Sequence, residues 1–70
     1  MTIQATIKAL VEGHIPDRDT AYQTMQAIMN GECTDAQIAA YLVALRLAGE
    51  TAEVIAGSAQ AMREAVTEIA

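Results

Sequence analysis

The stretch that decides the fold is TDAQIAAYLVALRLAG, residues 34–49. Thr34 is followed three residues later by Gln37, and this spacing is the capping-box signature of a helix N-terminus. We therefore expect a helix to begin at Asp35. It should run to Ala48, because the next residue is a glycine, which readily adopts the left-handed conformation that ends helices.

This third helix is apolar on two opposite sides. One face carries Ile38, Tyr41, Leu42 and Leu45, and the other carries Ala40, Val43, Ala44 and Leu47. A helix that is apolar nearly all round must be buried nearly all round, yet a four-helix unit of 70 residues can cover only part of it. We therefore predict that the second face (Ala40, Val43, Ala44, Leu47) is an interface, with a second copy of the chain as the expected partner.

The remaining chain divides into helical segments at its glycines. The first helix should run from about Ile3 to Glu12, the second should be capped by Asp17 and reach Asn30, and the fourth should be capped by Thr51. No segment alternates β-branched or aromatic residues with polar ones, so strands are not expected. The sequence predicts an all-α fold, a compact bundle of about four short helices in a single domain over residues 1–70. The expected buried positions are Ile3, Ile7, Leu10 and Val11 in the first helix, Ala21, Met25, Ile28 and Met29 in the second, and Val54, Ile55, Ala59, Met62, Ala65, Val66 and Ile69 in the fourth.

The net charge limits the kinds of partner that the chain can bind, and the cysteine content indicates its cellular compartment. Four basic residues against nine acidic ones give a net charge of −5, which disfavours binding to nucleic acid or to an anionic membrane surface. The single cysteine, Cys33, cannot form an internal disulfide, and this favours a reducing compartment. Since no uncharged apolar run is long enough to span a bilayer, we expect a cytoplasmic protein.

Few side chains of the chain are candidates for chemistry. We interpret His14 as a donor to the carbonyl groups that end the first helix, Cys33 as a half-buried thiol, and Ser58 as a packing residue inside the fourth helix. Asp17 and Asp19 resemble a metal-binding pair, but both precede or open a helix, where carboxylates satisfy free N–H groups. We predict no catalytic, cofactor-binding or metal-binding residue.

A resemblance to a known family rests on three stretches. They are GECTDAQIAAYLVALR (31–46), GETAEVIAG (49–57) and AMR (61–63), and the likeness extends back to LVEG (10–13) and residues 21–29, so it covers essentially the whole chain. Together they closely resemble the N-terminal helical domain of anthranilate phosphoribosyltransferase. The run ALR followed by GET distinguishes this family from the pyrimidine nucleoside phosphorylases, whose N-terminal domain is similar in plan.

The resemblance implies a cytoplasmic enzyme of tryptophan biosynthesis. Such enzymes transfer the phosphoribosyl group of phosphoribosyl pyrophosphate to anthranilate with magnesium, and they are typically homodimers that join a small helical domain to a large catalytic α/β domain across the active-site cleft. No position of this chain matches the family's phosphate loop, metal-binding acids or anthranilate-contacting residues. We therefore expect a dimerisation and cleft-forming domain that is inactive alone. Two alternatives stay open: a free-standing helical interaction module, and the N-terminal domain of a pyrimidine nucleoside phosphorylase.

Overall fold

The chain folds into four helices joined by short loops. The computed structural model describes residues 2–69, with side chains for residues 2–66. The helices are α1 (Ile3–Val11), α2 (Arg18–Met29), α3 (Asp35–Ala48) and α4 (Ala52–Ile69). The all-α prediction is confirmed, and the expected boundaries of α1 to α3 agree with the observed ones to within one residue.

Polar side chains begin three of these helices as predicted. Thr34 Oγ1 accepts a hydrogen bond from the Gln37 N–H at 3.1 Å, and Gln37 Oε1 accepts one from the Thr34 N–H at 2.9 Å. The capping box is therefore complete. Asp17 caps α2 by accepting from the backbone of Thr20 at 2.8 Å, and Thr51 accepts from the N–H of a residue in the first turn of α4 at 3.2 Å.

The capping box makes a stability prediction. Replacing Thr34 with alanine should lower the free energy of unfolding by about 1 kcal/mol, because a free N–H at the start of α3 loses its acceptor. Thr34→Ser keeps the hydroxyl and should stay close to wild type. Urea denaturation followed by circular dichroism measures both. Equal midpoints for Thr34→Ala and wild type would show that this cap does not stabilise the helix.

The glycines end the helices as the sequence predicted. Gly13 has a φ of 93°, a left-handed conformation that a side chain would strain. Its N–H donates to Leu10 O at 3.0 Å, and the N–H of His14 donates to Ala9 O at 2.8 Å. This pair of bonds is the Schellman arrangement, which satisfies the carbonyl groups of the last turn. The bond from His14 is made by its backbone N–H, so the donor role expected of its side chain stays a prediction.

The helices pack as two pairs. α1 lies along α3 and α2 lies along α4, while α1 also touches α2. The molecule is only 18 Å deep in its shortest dimension, which corresponds to about two helix diameters. Each helix therefore keeps an outward face. The buried side chains that pack together between the pairs are Ile3, Leu10, Ala21, Tyr41, Leu45 and Val54.

One polar atom in this core is unsatisfied. Tyr41 is fully buried, and its hydroxyl has no hydrogen-bond partner among the described residues. Burial raises the pKa of this hydroxyl, and the nearby negative charge of Glu50 raises it further. The ring fills the core as predicted, but its hydroxyl contributes nothing to offset the cost of leaving water.

Helix α4 approaches α2 more closely than ordinary side chains would allow. A Cβ atom added at Gly57 would lie 2.3 Å from Arg18 O and 3.0 Å from Tyr22 N. Ala61, one turn further along, is also buried. Gly57 and Ala61, four residues apart, therefore permit the close packing of α4 on α2.

This close approach corrects the predicted buried face of α4. Ile55, Met62 and Val66 were expected to be buried, yet they are 56%, 43% and 65% exposed. The face that packs on α2 is built around Gly57 and Ala61 instead, because small residues let the two backbones come together and large apolar ones do not. Val54 is buried as predicted, Ala59 and Ala65 are half-buried, and the side chain of the remaining predicted position, Ile69, lies outside the described residues.

Three other predicted core residues are also exposed. Val11, Leu42 and Met29 all face solvent to a large extent. Each lies at the margin of its helix's apolar face, and a two-layer bundle covers only the centre of that face. Ile7 and Ile28 are partly buried against the core as expected.

Two buried threonines were not anticipated from the sequence. Thr6 on α1 and Thr24 on α2 are each 1% exposed, and their hydroxyl oxygens lie 3.2 Å apart. Each hydroxyl also lies within hydrogen-bonding distance of the carbonyl oxygen one turn earlier, Thr2 O or Thr20 O. The pair joins α1 to α2 within the core.

Candidate interface

An apolar surface runs across the outer side of α1 and α3. We call it the α1–α3 face and define it by Val11, Ala40, Val43, Ala44 and Leu47. Leu47 is 83% exposed, Val11 is 77% exposed and Val43 is 59% exposed. Ala40 is exposed, whereas Ala44 is half-buried and packs against the core. The four positions predicted from the sequence thus lie on one side of α3, and Val11 extends the surface onto α1.

A groove between the two helices forms part of this face. It has a volume of about 380 Å³ and lies near the C-terminal ends of α1 and α3. Its lining is almost entirely apolar: Leu10, Val11, Gly13, Ala44, Leu47 and Ala48. The groove contains no charged side chain that could orient a polar ligand, so its chemistry suits apolar side chains of a protein partner.

Small residues continue along the outer side of α3. Ala36 and Ala40 lie one turn apart, and both are exposed. Alanine side chains let a second helix approach closely, because nothing beyond the Cβ atom separates the two backbones. The α1–α3 face therefore combines large exposed apolar groups at one end with a shallow surface at the other.

A polar network on the other helix pair joins α2 to α4. The Tyr22 hydroxyl donates to Glu64 Oε1, and Gln60 Nε2 donates to Glu64 Oε2 at 3.1 Å. Gln26 Nε2 donates in turn to the Tyr22 hydroxyl at 3.3 Å. The bond from Tyr22, followed by the bond from Gln60, lowers the pKa of the Glu64 carboxyl. The network stabilises the ionised carboxylate and links the two helices at the surface.

This network makes a pH prediction. Because the pKa of Glu64 is lower in the folded state than its usual value of 4.5, its contribution to stability is present above that pH and is lost as the pH falls through the folded-state pKa. Glu64→Gln should therefore be less stable than wild type at pH 7, and the difference should be smaller at pH 3. Urea midpoints at both pH values test this. Tyr22→Phe removes the main donor and should shrink the same difference; a gap that persists undiminished at pH 3 would contradict the assignment.

The candidates for chemistry lie in separate places. His14 is in the loop after α1, Cys33 is in the loop before α3 and packs against the core, and Ser58 is half-buried within α4. No hydrogen bond joins these three among residues 2–66. Asp17 is occupied in capping, and the backbone N–H of Thr20 lowers the pKa of its carboxyl. Within the described part of the chain, no group of three or more His, Cys, Asp or Glu side chains could hold a metal ion.

Comparison with known proteins identifies the fold family. Residues 4–66 match the model of the helical bundle domain of a glycosyl transferase family. The chain belongs to this family. No helix of the described residues is long and apolar enough to cross a membrane, and no solved structure matches the chain significantly.

Several curated relatives of this helical bundle domain are named anthranilate phosphoribosyltransferase. An anthranilate phosphoribosyltransferase of Geotalea daltonii is 45% identical over 67 residues, which are 96% of this chain and 19% of the relative. The enzyme of the same name from Teredinibacter turnerae is 39% identical over 69 residues, 99% of this chain and 20% of the relative. That from Bacillus caldotenax is 42% identical over 67 residues, 96% of this chain and 28% of the relative. The chain thus spans between about a fifth and just over a quarter of the length of these enzymes.

Proposed function

We propose that this helical bundle domain is the dimerisation and cleft-forming part of an anthranilate phosphoribosyltransferase. Such an enzyme transfers the phosphoribosyl group of phosphoribosyl pyrophosphate to the amine of anthranilate in tryptophan biosynthesis. Support comes from relatives of that name at 39% to 45% identity over nearly the whole chain. The observation that carries the dimerisation role is the exposed α1–α3 face.

The proposed dimer forms about a two-fold axis through this face. In such an interface each residue meets its symmetry mate or a near neighbour. The dimer would therefore bury the side chains of Val11, Val43 and Leu47 in both copies. At 77%, 59% and 83% exposure, these six side chains would contribute roughly 7–13 kcal/mol on burial. Association itself costs about 4–15 kcal/mol. The two quantities are similar, so we expect the 70-residue chain to form a weak dimer that depends on concentration.

The catalytic groups belong to a part of the enzyme outside this domain. The described side chains offer no nucleophile with a neighbouring base and no set of metal ligands, and the relatives contain at least two and a half times as much polypeptide again. We propose that a large α/β domain supplies the active site and the magnesium ions, that the helical bundle closes one side of the cleft, and that the enzyme acts in the cytoplasm.

A chimaera tests this function. The chain would replace the matching residues of the Geotalea daltonii enzyme, which is 45% identical to it. We expect the chimaera to be a dimer that consumes anthranilate, measured as loss of its fluorescence with phosphoribosyl pyrophosphate and magnesium. The 70-residue chain alone should show no activity. A chimaera that folds but is inactive and monomeric would contradict the proposal, as would turnover by the chain alone.

A further inference from the structure

A second apolar surface lies on α4, away from the α1–α3 face. We call it the α4 stripe and define it by Ile55, Ala59, Met62 and Val66. Their spacing of four, three and four residues places them on one side of the helix, along roughly 16 Å of its length. Ile55, Met62 and Val66 are 56%, 43% and 65% exposed. The stripe is therefore a line of large apolar groups directed away from α2.

The carboxylates of α4 avoid this surface. In its described part, α4 carries three charged side chains, Glu53, Arg63 and Glu64. At about 100° per residue, the two carboxylates lie roughly 160° and 180° around the helix from Ile55. Glu64 is held on the α2 side by its hydrogen bond from Tyr22. In a chain with nine acidic residues and a net charge of −5, a stripe free of carboxylates is typical of a surface covered by other protein.

A two-fold dimer of this chain would cover only one of the two surfaces. The α1–α3 face belongs to one helix pair and the α4 stripe to the other. A two-fold interface uses one patch on each copy, so a dimer formed through the α1–α3 face leaves the α4 stripe uncovered. If the stripe also bound another copy, association would not stop at a dimer.

We propose that in the full-length enzyme the remainder of the polypeptide packs against the α4 stripe. This inference rests on the proposed function. Two of the relatives are about five times as long as the region that this chain matches, so the full-length enzyme would contain a large part besides the helical bundle. Interfaces between domains of one chain typically bury about 600–1,500 Å² and have an apolar centre. The α4 stripe fits such a centre because it is apolar and continuous, with Arg63 as the one charged side chain at its edge among the described residues.

Thiol labelling tests the occupant of the stripe. In a Cys33→Ser background, cysteine is placed at Met62 or Ile55 on the stripe, and at Gln23, an exposed position of α2, as the matched control. Rates of reaction with a maleimide are compared between the 70-residue chain and the chimaera with the Geotalea daltonii enzyme. We expect Met62→Cys and Ile55→Cys to react at least tenfold more slowly in the chimaera, and Gln23→Cys to react equally in both.

The outcomes separate this inference from the proposed function. Equal rates at both stripe positions in the two proteins would overturn it, even if the chimaera is an active dimer. Slower labelling of the isolated chain as its concentration rises would assign the stripe to a second copy and would also overturn it. A protected stripe in a monomeric chimaera would support the inference while contradicting the dimer. Circular dichroism of each variant confirms that the helices are intact.

Discussion

Replacing Gly57 with alanine should lower the free energy of unfolding by about 3 kcal/mol. The added Cβ atom would lie 2.3 Å from the carbonyl oxygen of Arg18, a backbone atom that cannot turn aside. Helices α2 and α4 must then separate along their contact. Alanine gains about 1 kcal/mol of helix propensity over glycine, which offsets only part of this cost. A domain of this size has a total stability of roughly 4–10 kcal/mol, so a large part would be lost.

Thermal and urea denaturation measure this effect. At about 4–8 °C for each kcal/mol, the midpoint of thermal unfolding should fall by at least about 12 °C. Ser58→Ala is the matched control, because it changes a neighbouring half-buried residue of α4 without adding an atom, and it should remain within about 0.5 kcal/mol of wild type. A Gly57→Ala variant as stable as the wild type would show that α2 and α4 do not approach closely.

Replacing Val43 with glutamate should convert the proposed dimer to a monomer. In a two-fold interface each substitution occurs twice, so two carboxylates would lose their water without gaining a partner. The cost is at least about 3 kcal/mol, which weakens association more than 100-fold. Since Val43 is 59% exposed in the isolated chain, the fold itself should be little affected.

Sedimentation equilibrium at several concentrations measures the effect of this substitution. Leu42→Glu is the matched control: it introduces the same charge on the same helix at a side chain that is 51% exposed, but its side chain points away from the α1–α3 face. Wild type and Leu42→Glu should show the same dimer constant, and Val43→Glu should remain a monomer. Equal association of the two glutamate variants would contradict the assignment of this face.

Local signals were enough to predict most of the fold. Each helix boundary depends on residues adjacent to it, such as Thr34 with Gln37 at the start of α3 or Gly13 after α1, and these hydrogen bonds form regardless of how the helices later pack. The apolar second side of α3 was predicted for the same reason, since it follows from the helical period alone.

The buried face of α4 was not predictable from hydrophobicity. Ile55, Met62 and Val66 form the more apolar side, yet packing on α2 selects the side that contains Gly57 and Ala61. Close contact between backbones depends on the shape of the partner helix, which a single helical pattern does not contain. The buried pair Thr6 and Thr24 was missed for a related reason, because each threonine alone resembles a surface residue and the pattern of one helix does not show that the two side chains meet.

Isotope-filtered nuclear Overhauser spectroscopy tests the central claim most directly, namely that the α1–α3 face is where two copies meet. An equal mixture of ¹³C-labelled and unlabelled chains would be measured at a concentration where sedimentation shows the dimer. We predict contacts between chains from the methyl groups of Val11, Val43 and Leu47, and none from Ile55 or Val66. Contacts between chains that arise from Ile55 and Val66, with none from Val43 and Leu47, would contradict the account.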